Sequence, residues 1–257
     1  MSMTDYLLLR LYGPLASWGE IAVGELRHSA VHPSRSALLG LLAAALGIER
    51  SDETAQQALT AGYRFGIKLE CTGSPLRDYH TVQVGVPPRK FQFRSRRQEL
   101  AADKVETILS AREYRCDSLA LVAVEALSGA PVDLDDLARA LRQPHFALYL
   151  GRKSCPLALP LLPQRVSAAT LREALDSARL PSLLGLLDRR ESGQTWPSRQ
   201  DRQFLRPGPA RYYWEDGMEA GMEASFDSWR HDQPLSRSRW QFAPRREWVA
   251  LSEGGQG

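Results

Sequence analysis

Residues 31–47, VHPSRSALLGLLAAALG, predict a buried helix against which the neighbouring strands must pack. Ser34 is a suitable N-cap because its hydroxyl can accept a hydrogen bond from an unpaired amide of the first turn, and Gly47 is a suitable stop. The leucines and alanines between them leave almost no polar face, so the helix should be buried nearly all round. Arg35 is unexpected in the first turn, because the amides there already make the environment positive and favour a carboxylate. Arg35 therefore requires a negatively charged partner.

Strands and helices on both sides of this helix follow a familiar order. Apolar runs and alternating patterns predict strands over 5–13, 63–73, 118–127 and 145–151, with a short strand within 21–28, and helices over 34–46, 52–61 and 133–143. Strand, helix, strand, strand, helix, strand is the split βαβ pattern of a ferredoxin-like or RRM-like domain. The predicted fold class is therefore α+β, with an RRM-like domain over residues 1–155.

The chain changes character after this first domain and becomes richer in proline, arginine and aromatic residues. We predict a smaller, β-rich C-terminal domain over residues 156–257. Its expected elements are helices near 170–178 and 181–188 and strands around 210–215 and 223–230.

Charge and cysteine content exclude several classes of protein. The 257 residues include 33 basic and 30 acidic ones, so the chain is no polycation, although a basic face can form if the acids lie elsewhere. Three widely spaced cysteines without a C-x-x-C pair argue against a zinc site or a disulfide framework and fit a reducing compartment. No apolar run is long enough for a signal peptide or a membrane span. We expect a soluble, cytoplasmic protein without a cofactor or metal.

A basic segment interrupts the first domain at about 84–111. It opens with PPRKFQFRSRR, in which five cations and two aromatic residues occur without one acid, and ELAADKVETILSAR at 99–112 is predicted to be helical. Cations that neutralise phosphates, interleaved with rings that stack on bases, suit a single-stranded nucleic acid. The alternative is a solvated hairpin whose arginines keep an exposed edge soluble.

Two further stretches combine cations with features that suit nucleic acid. SRSRWQFAPRREW at 236–248 sets four arginines around Trp240 and Phe242, although both rings could instead be core residues of a strand with a wet arginine face. In YLGRKSCP, Gly151 permits a close backbone approach, and Arg152, Lys153 and Ser154 supply donors. An ordinary exit from a strand into a loop is the alternative there.

A catalytic centre is not evident from the sequence. Asp78 and His80 could share one face of a strand, whereas Tyr79 could not, because adjacent strand residues point to opposite faces. Metal-free RNA cleavage would need a general base and acid around a 2′-hydroxyl. A lone histidine on a strand is more often structural, and Ser–His–Asp, H-E-x-x-H and P-loop patterns are absent. We therefore expect no catalytic residues and no enzyme activity.

Taken together, five motifs resemble the Cas-five family of CRISPR-associated proteins, and within it the members from type I-E systems. The motifs are LLLRLYGPLASWGE at 7–20, RHSAVHPSRSALLGLLAAALGIER at 27–50, LRDYHTVQ at 76–83, LYLGRKSCPLALP at 148–160 and WQFAPRREW at 240–248. They occur in the same order from about residue 6 to 248. The resemblance implies a subunit of the Cascade surveillance complex of antiviral defence, with an RRM-like domain, an extended thumb at 84–111 and a smaller C-terminal domain.

The resemblance also implies the partners and the binding residues. This subunit would bind and cap the 5′ handle of the CRISPR RNA, reach a backbone subunit with its thumb, contact the large subunit, and touch target DNA only indirectly, with no membrane involved. The loops 13–19, 27–36 and 151–154 would hold the handle. The expected RNA-binding residues are Trp18, Arg27, His28, Ser34, Arg35, Ser36, His80, Arg89, Lys90, Arg94, Arg96, Arg97, Arg152 and Lys153.

For Arg35, the resemblance suggests a phosphate of the handle as the missing anion, held together with Ser34 and Ser36. The alternative is an ion pair with a carboxylate such as Glu20 or Glu25, or a side chain that reaches water.

Two other functions remain open. Relatives from type I-C systems are metal-independent endoribonucleases that mature CRISPR RNA, whereas in type I-E systems a separate subunit cuts, so a non-catalytic role is favoured. A generic RNA-binding module outside CRISPR would explain the basic loops but not the ordered set of motifs.

Overall fold

The first strand and the long apolar helix form as expected. In the structure, a computed structural model that describes residues 3–22, 24–180 and 208–252, they are β1 (Thr4–Tyr12) and α1 (Arg35–Leu46). The Ser34 hydroxyl accepts a hydrogen bond from the Ala37 amide at 3.2 Å, and Gly47 ends the helix in the left-handed conformation with a φ of 75°. The predicted N-cap and stop residues are both confirmed.

The remaining elements follow in chain order. Four two-residue strands precede α1, namely β2 (Leu15–Ala16), β3 (Trp18–Gly19), β4 (Leu26–Arg27) and β5 (Ser29–Ala30). After α1 come α2 (Glu53–Gly62), β6 (Tyr63–Cys71), β7 (Ser74–Gly85), α3 (Arg96–Leu100), β8 (Val105–Cys116), β9 (Leu119–Ala126), α4 (Leu134–Arg142), β10 (Gln164–Ala168), α5 (Leu171–Asp176), β11 (Arg211–Glu215), β12 (Phe226–Ser236) and β13 (Gln241–Leu251).

The centre of the molecule is a seven-stranded antiparallel sheet in the order β10-β1-β9-β6-β11-β13-β12. β1 is buried on both faces, which explains its nearly continuous apolar sequence. Leu7 and Leu9 belong to a core cluster shared with α1 and α4, whereas Tyr6 and Leu8 face a second cluster around α5. The mixed α/β class with antiparallel sheets is therefore confirmed.

The strand predicted at 145–151 is wrong. This segment forms only an isolated bridge between Tyr149 and Pro156, and the strand that pairs with the free edge of β1 is β10. The apolar residues of HFALYLG suggested a buried strand, yet Phe146 and Tyr149 are exposed. QRVSA in β10 is an edge strand with a wet face, so its polar residues concealed it from a search for apolar runs.

The helix predicted at 99–112 is also mostly wrong. Only Arg96–Leu100 is helical, and β8 pairs with β7 over twelve residues from Ser74↔Cys116 to Gly85↔Val105. The helical periodicity of residues 99–112 indicated a helix, but β8 instead forms a long ladder with β7. The backbone hydrogen bonds of that ladder are not evident from the sequence of β8 alone. The basic segment therefore lies at the end of a long hairpin, residues 74–116, which we call the 74–116 hairpin.

The C-terminal strands continue the same sheet. The strands predicted near 210–215 and 223–230 are β11 and β12, and the helix predicted near 170–178 is α5. β11 pairs with β6, and β13 with β11, so the first-half strands β1, β9 and β6 lie between β10 on one side and the later strands β11, β13 and β12 on the other. The helix predicted at 181–188 lies outside the described residues. Within the described ranges, no helix has the length and apolar content needed to span a membrane.

Candidate nucleic-acid interface

Arg35 finds its negatively charged partner inside the protein. The side chain is only 5% exposed, and its guanidinium forms an ion pair with Glu215 of β11. The same guanidinium donates to the carbonyl oxygens of Thr60 at 2.6 Å and Tyr63 at 3.0 Å. The partner is therefore neither Glu20 nor Glu25. The Arg35 guanidinium forms its hydrogen bonds inside the protein and is not available to bind a phosphate. The expected role of Arg35 as an RNA-binding residue is therefore corrected.

Further charges surround this pair beneath the first turn of α1. The Arg35 amide donates to Asp232 at 2.8 Å, and Arg245 donates to both Asp232 and Glu247. His32 lies 2.9 Å from Glu247. Burial alone would raise the pKa of Glu247, but the hydrogen bond with His32 and the charges of the neighbouring arginines outweigh it and hold this pKa at about 2. The cluster ties the start of α1 to β11, β12 and β13.

Three loops that the sequence analysis singled out lie side by side. The Ser17 amide donates to the Leu150 carbonyl at 3.0 Å, and Gly151 approaches Ser17 so closely that a Cβ at Gly151 would lie 1.9 Å from the Ser17 carbonyl oxygen. β3 pairs with β5, and the Trp18 amide donates to the Ser29 hydroxyl at 3.0 Å. Loops 13–19, 27–36 and 151–154 thus form one continuous surface.

Not every predicted binding residue in these loops faces outward. Trp18 is 3% exposed and belongs to the core, so its ring is not available to stack on a base. The Ser34 hydroxyl is buried and caps α1. Ser36 is half-buried, and its carbonyl accepts a hydrogen bond from Arg237. Trp18 is therefore a core residue and Ser34 is a helix cap, and neither is available to contact RNA.

Arg27 and His28 are exposed beside the root of the 74–116 hairpin. β4 runs parallel to β8, with Arg27 opposite Arg112. His28 lies 3.1 Å from the Glu113 carboxylate, to which Arg77 also donates at 2.7 Å. The hydrogen bonds from Arg77 and then His28 lower the pKa of Glu113. The loop surface and the hairpin are therefore linked through these ion pairs.

Asp78 and His80 share one face of β7, as expected from their spacing. The His80 Nδ1 lies 3.1 Å from the Asp78 carboxylate, and Tyr79 projects from the opposite face. A carboxylate that orients an imidazole is chemically able to support proton transfer. Asp78 is opposite Arg112 in the ladder between β7 and β8, and Arg112 is in turn opposite Arg27, so the pair lies on the hairpin at the margin of the 27–36 loop.

The five cations of the basic segment lie at the far end of the hairpin. Arg89, Lys90, Arg94 and Arg97 are exposed, and Arg96 forms an ion pair with Glu99 at 2.6 Å. Gly85 permits the helix α3 to fold back, because a Cβ there would lie 2.2 Å from the Glu99 carbonyl oxygen. The 27–36 loop meets β8 at Ala111 and Arg112 and the 13–19 loop meets it at Arg115 and Cys116, so the cationic tip beyond Val105 lies roughly 20 Å from the nearer loop and roughly 35 Å from the other.

Lys153 borders a groove that the sequence analysis did not identify, and Arg152 precedes it in the chain. The Arg152 guanidinium lies 5.0 Å from the centre of the Tyr114 ring, and Lys153 is exposed. The groove has a volume of about 1130 Å³ and runs between α1, the 146–153 loop and the turn at 237–240. Two of its aromatic residues, Phe146 and Tyr149, lie in the segment that was predicted to be a strand. Their position between Pro144 and Pro156 was the available signal for a loop.

Comparison with known proteins agrees with this architecture, an antiparallel α/β protein that carries a long hairpin with a cationic tip. The family model described as CRISPR-associated protein (Cas_Cas5) matches residues 6–247. The chain belongs to this Cas5 family. It is similar to the Escherichia coli (strain K12) protein named CRISPR system Cascade subunit CasD, with 35% identity over 181 residues that cover 67% of this chain and 76% of the relative.

Solved structures give the same relationship. A chain from a structure titled CRISPR RNA-guided surveillance complex is 26% identical, with a TM-score of 0.64, and the match covers 97% of this chain and 90% of that one. A structure titled Crystal structure of Cas protein is 24% identical, with a TM-score of 0.55 and coverage of 98% and 100%. The second likeness establishes the fold alone.

Proposed function

We propose that this protein is a non-catalytic subunit of a type I-E Cascade surveillance complex, and that it binds and caps the 5′ handle of the CRISPR RNA. Family membership and the 35% identity to the Cascade subunit CasD support its place in such a complex. In this role its partners are the CRISPR RNA, a backbone subunit and the large subunit, and its contact with target DNA is indirect. An assembly of this kind functions in the cytoplasm.

An RRM-like domain is the scaffold of this proposal. Counted along the chain, β1, β6, β9 and β10 are the four strands of a split βαβ unit, and they lie in the spatial order fourth, first, third, second. This order supports the RRM-like assignment. The expected domain boundary after residue 155 falls before β10, the fourth strand of this unit, and the strands β11–β13 of the proposed second domain extend the sheet from β6.

The juxtaposition of three loops at the root of the hairpin carries the RNA-binding proposal. Arg27, His28, Arg152 and Lys153 border this surface, and they supply the cations and donors that phosphates require. Trp18, Ser34 and Arg35 support the surface from below and give it a fixed shape. Ser36 and His80 remain candidate contacts at its margins.

The 74–116 hairpin serves in this proposal as the thumb that reaches the backbone subunit. Both of its faces expose apolar side chains, which monomeric proteins rarely gather on one arm unless a partner covers them. The exposed apolar residues are Leu76, Tyr79, Val82, Val105, Ile108 and Leu109. We propose that the cations at the tip, Arg89, Lys90, Arg94, Arg96 and Arg97, contribute to assembly and to RNA contacts.

The Asp78–His80 pair favours one second candidate, a metal-independent endoribonuclease that matures CRISPR RNA. Incubating the pure chain with its own repeat RNA separates the two functions. We expect no cleavage, because a single half-exposed pair on the hairpin offers no separate general acid and base. Specific cleavage at the 5′ border of the handle that disappears in His80→Ala would establish the enzyme instead.

RNA binding is tested by a triple variant, Arg27→Gln, Arg152→Gln and Lys153→Gln, with handle RNA titrated into the full chain at several salt concentrations. We expect weaker binding and a salt slope reduced by about one unit for each phosphate that the protein no longer neutralises. The matched control is a second triple variant that removes the same charge from α4 and the neighbourhood of α5. Its substitutions are Arg139→Gln, Arg172→Gln and Arg179→Gln. If both triple variants lose the same RNA affinity, binding depends only on net charge, and the proposed surface is contradicted.

A further inference from the structure

The groove beside α1 combines aromatic rings and cations on a floor of small residues. Gly40, Ala43 and Ala44 of α1 form the floor. The exposed rings at its border are Phe146, Tyr149 and Trp240, and the cations are Arg50, Lys153 and Arg237. Glu49 is the one carboxylate among the described residues that line it. The groove is therefore positively charged and can bind a flat ring.

Trp240 is held over this groove in a backbone conformation that large residues rarely adopt. Its φ is 53°, in the left-handed region, and its residue is 62% exposed. The Arg50 guanidinium lies 4.0 Å from the ring centre and is itself fixed by the Arg237 carbonyl at 2.8 Å. Strain of this kind persists where the surroundings impose it, and it is concentrated at binding sites. Core packing does not explain an exposed ring held in this way.

Arg237 brings a poorly compensated positive charge to the same place. Its guanidinium lies across Gly40 and donates to the Ser36 carbonyl. Burial lowers the pKa of Arg237, and the nearby charge of Arg50 lowers it further, whereas the Tyr149 phenol acts in the opposite direction. A second cavity of about 250 Å³, between Ser36, Gly151 and Arg237, opens beside this guanidinium. An anion there would offset the cost of burying the cation.

We propose that this groove binds one nucleotide of the CRISPR RNA, with its base stacked on Trp240 and its phosphate at Arg237. The inference rests on the RNA-binding function proposed above and adds a contact to an individual base. A ring that stacks and a cation three residues away match the alternation of base and phosphate in a single strand. Arg50 orients the indole, and Lys153 joins this groove to the loop surface.

The test is a titration of the full chain with RNA of its own 5′ handle, in which each position in turn lacks its base. Trp240→Ala should weaken binding of the intact RNA about tenfold. Trp229→Ala is the matched control, since Trp229 is 67% exposed on β12 and lies away from the groove. Base removal at one position should weaken wild-type binding and have no further effect in Trp240→Ala. Equal behaviour of the two tryptophan variants, or additive effects at every position, would overturn the proposal.

Charge and folding are examined by three further variants. Arg237→Gln should lower the salt slope by about one unit, whereas Arg239→Gln, from an exposed neighbour in the same turn, should not. Trp240→Asn suits the left-handed backbone, so it should keep the melting temperature while it loses RNA affinity. A lower melting temperature with unchanged RNA affinity in both Trp240 variants would make the ring structural.

The groove and the wider function fail in different ways. If the wild-type chain does not bind handle RNA, or the triple variant at Arg27, Arg152 and Lys153 binds as well as wild type, the proposed function fails. If the triple variant binds weakly while Trp240→Ala and Arg237→Gln bind normally, the nucleotide site alone is refuted. If Trp240→Ala or Arg237→Gln causes another Cascade subunit to be lost from the purified complex while RNA affinity is unchanged, the groove is a protein-binding site. This result would likewise overturn the proposal.

Discussion

At the scale of single residues, the pair formed by Arg35 and Glu215 governs how the start of α1 is held. Sequence reasoning correctly placed Arg35 after the N-cap and recognised that it needed an anion. It could not identify the partner, because Glu215 lies 180 positions away and joins Arg35 only after β11 pairs with β6. Long-range pairs of this kind carry no local pattern.

Arg35→Glu is therefore expected to destabilise the folded protein strongly and not merely to weaken RNA binding. Removing one partner of a buried ion pair costs about 3–5 kcal/mol, and a second carboxylate beside Glu215 adds repulsion. Urea denaturation should show at least this loss. Replacing both partners, as Arg35→Met with Glu215→Leu, should restore much of the stability. A stable Arg35→Glu protein with specifically reduced RNA affinity would reinstate a direct contact with phosphate.

Glu247 should make stability fall in acid. The pKa of Glu247 is about 2 in the folded protein against an ordinary value of 4.5, so its contribution is complete above about pH 4.5 and is lost as the pH falls towards 2. Thermal melting between pH 6 and pH 2 measures this. Glu247→Gln should be less stable near neutral pH but should decline less steeply in acid. An identical decline in both proteins would assign the acid sensitivity to other carboxylates.

At the scale of elements, the 74–116 hairpin and the 146–153 loop show where sequence patterns were insufficient. Segments with clear cap residues, such as α1 and α4, were predicted to within one residue at each end. β8 and the 145–151 segment were misassigned because each depends on a partner, β7 in one case and the surface of α1 in the other. The groove escaped prediction for the same reason, since it forms only when three distant segments meet.

Glutamine at all five cationic positions of the hairpin tip tests what the tip contacts. We expect two effects together, a smaller salt slope of RNA binding and a larger loss of the backbone subunit from the purified complex, because the tip extends roughly 20 Å beyond the nearer loop. Co-purification with a tagged backbone subunit and guide RNA measures both. A fully loaded complex would show that these cations only keep an exposed edge soluble.

Gly151→Ala tests the contact between two of the loops. Gly151 has a φ of 84°, where an alanine costs about 1–2 kcal/mol, and its Cβ would collide with the Ser17 carbonyl oxygen. The loops must separate, so RNA affinity should fall more than stability alone explains. Gly129→Ala is the control, because a Cβ there meets no atom within 4 Å. Equal RNA affinity in both variants would show that the spacing of the loops is unimportant.

At the scale of the whole molecule, one sheet joins both halves of the chain. β10 covers the edge of β1, and β11 covers the edge of β6. A chain that ends at residue 155 would expose both edges and leave Arg35 without Glu215. We expect this fragment to aggregate or to lack cooperative unfolding, whereas the full chain should unfold cooperatively. Circular dichroism and hydrogen exchange compare them, and a cooperative 1–155 fragment would contradict this expectation.

The buried pair between α1 and β11 also has a consequence for molecular evolution. A lineage that loses the guanidinium at position 35 first passes through an unpaired buried carboxylate at position 215, which selection should remove quickly. The two positions should therefore change together among relatives, as charged pairs or as apolar pairs, but rarely singly. Arg35 resembles a ligand contact when only its neighbouring sequence is considered. Covariation with position 215 would identify it as a structural residue.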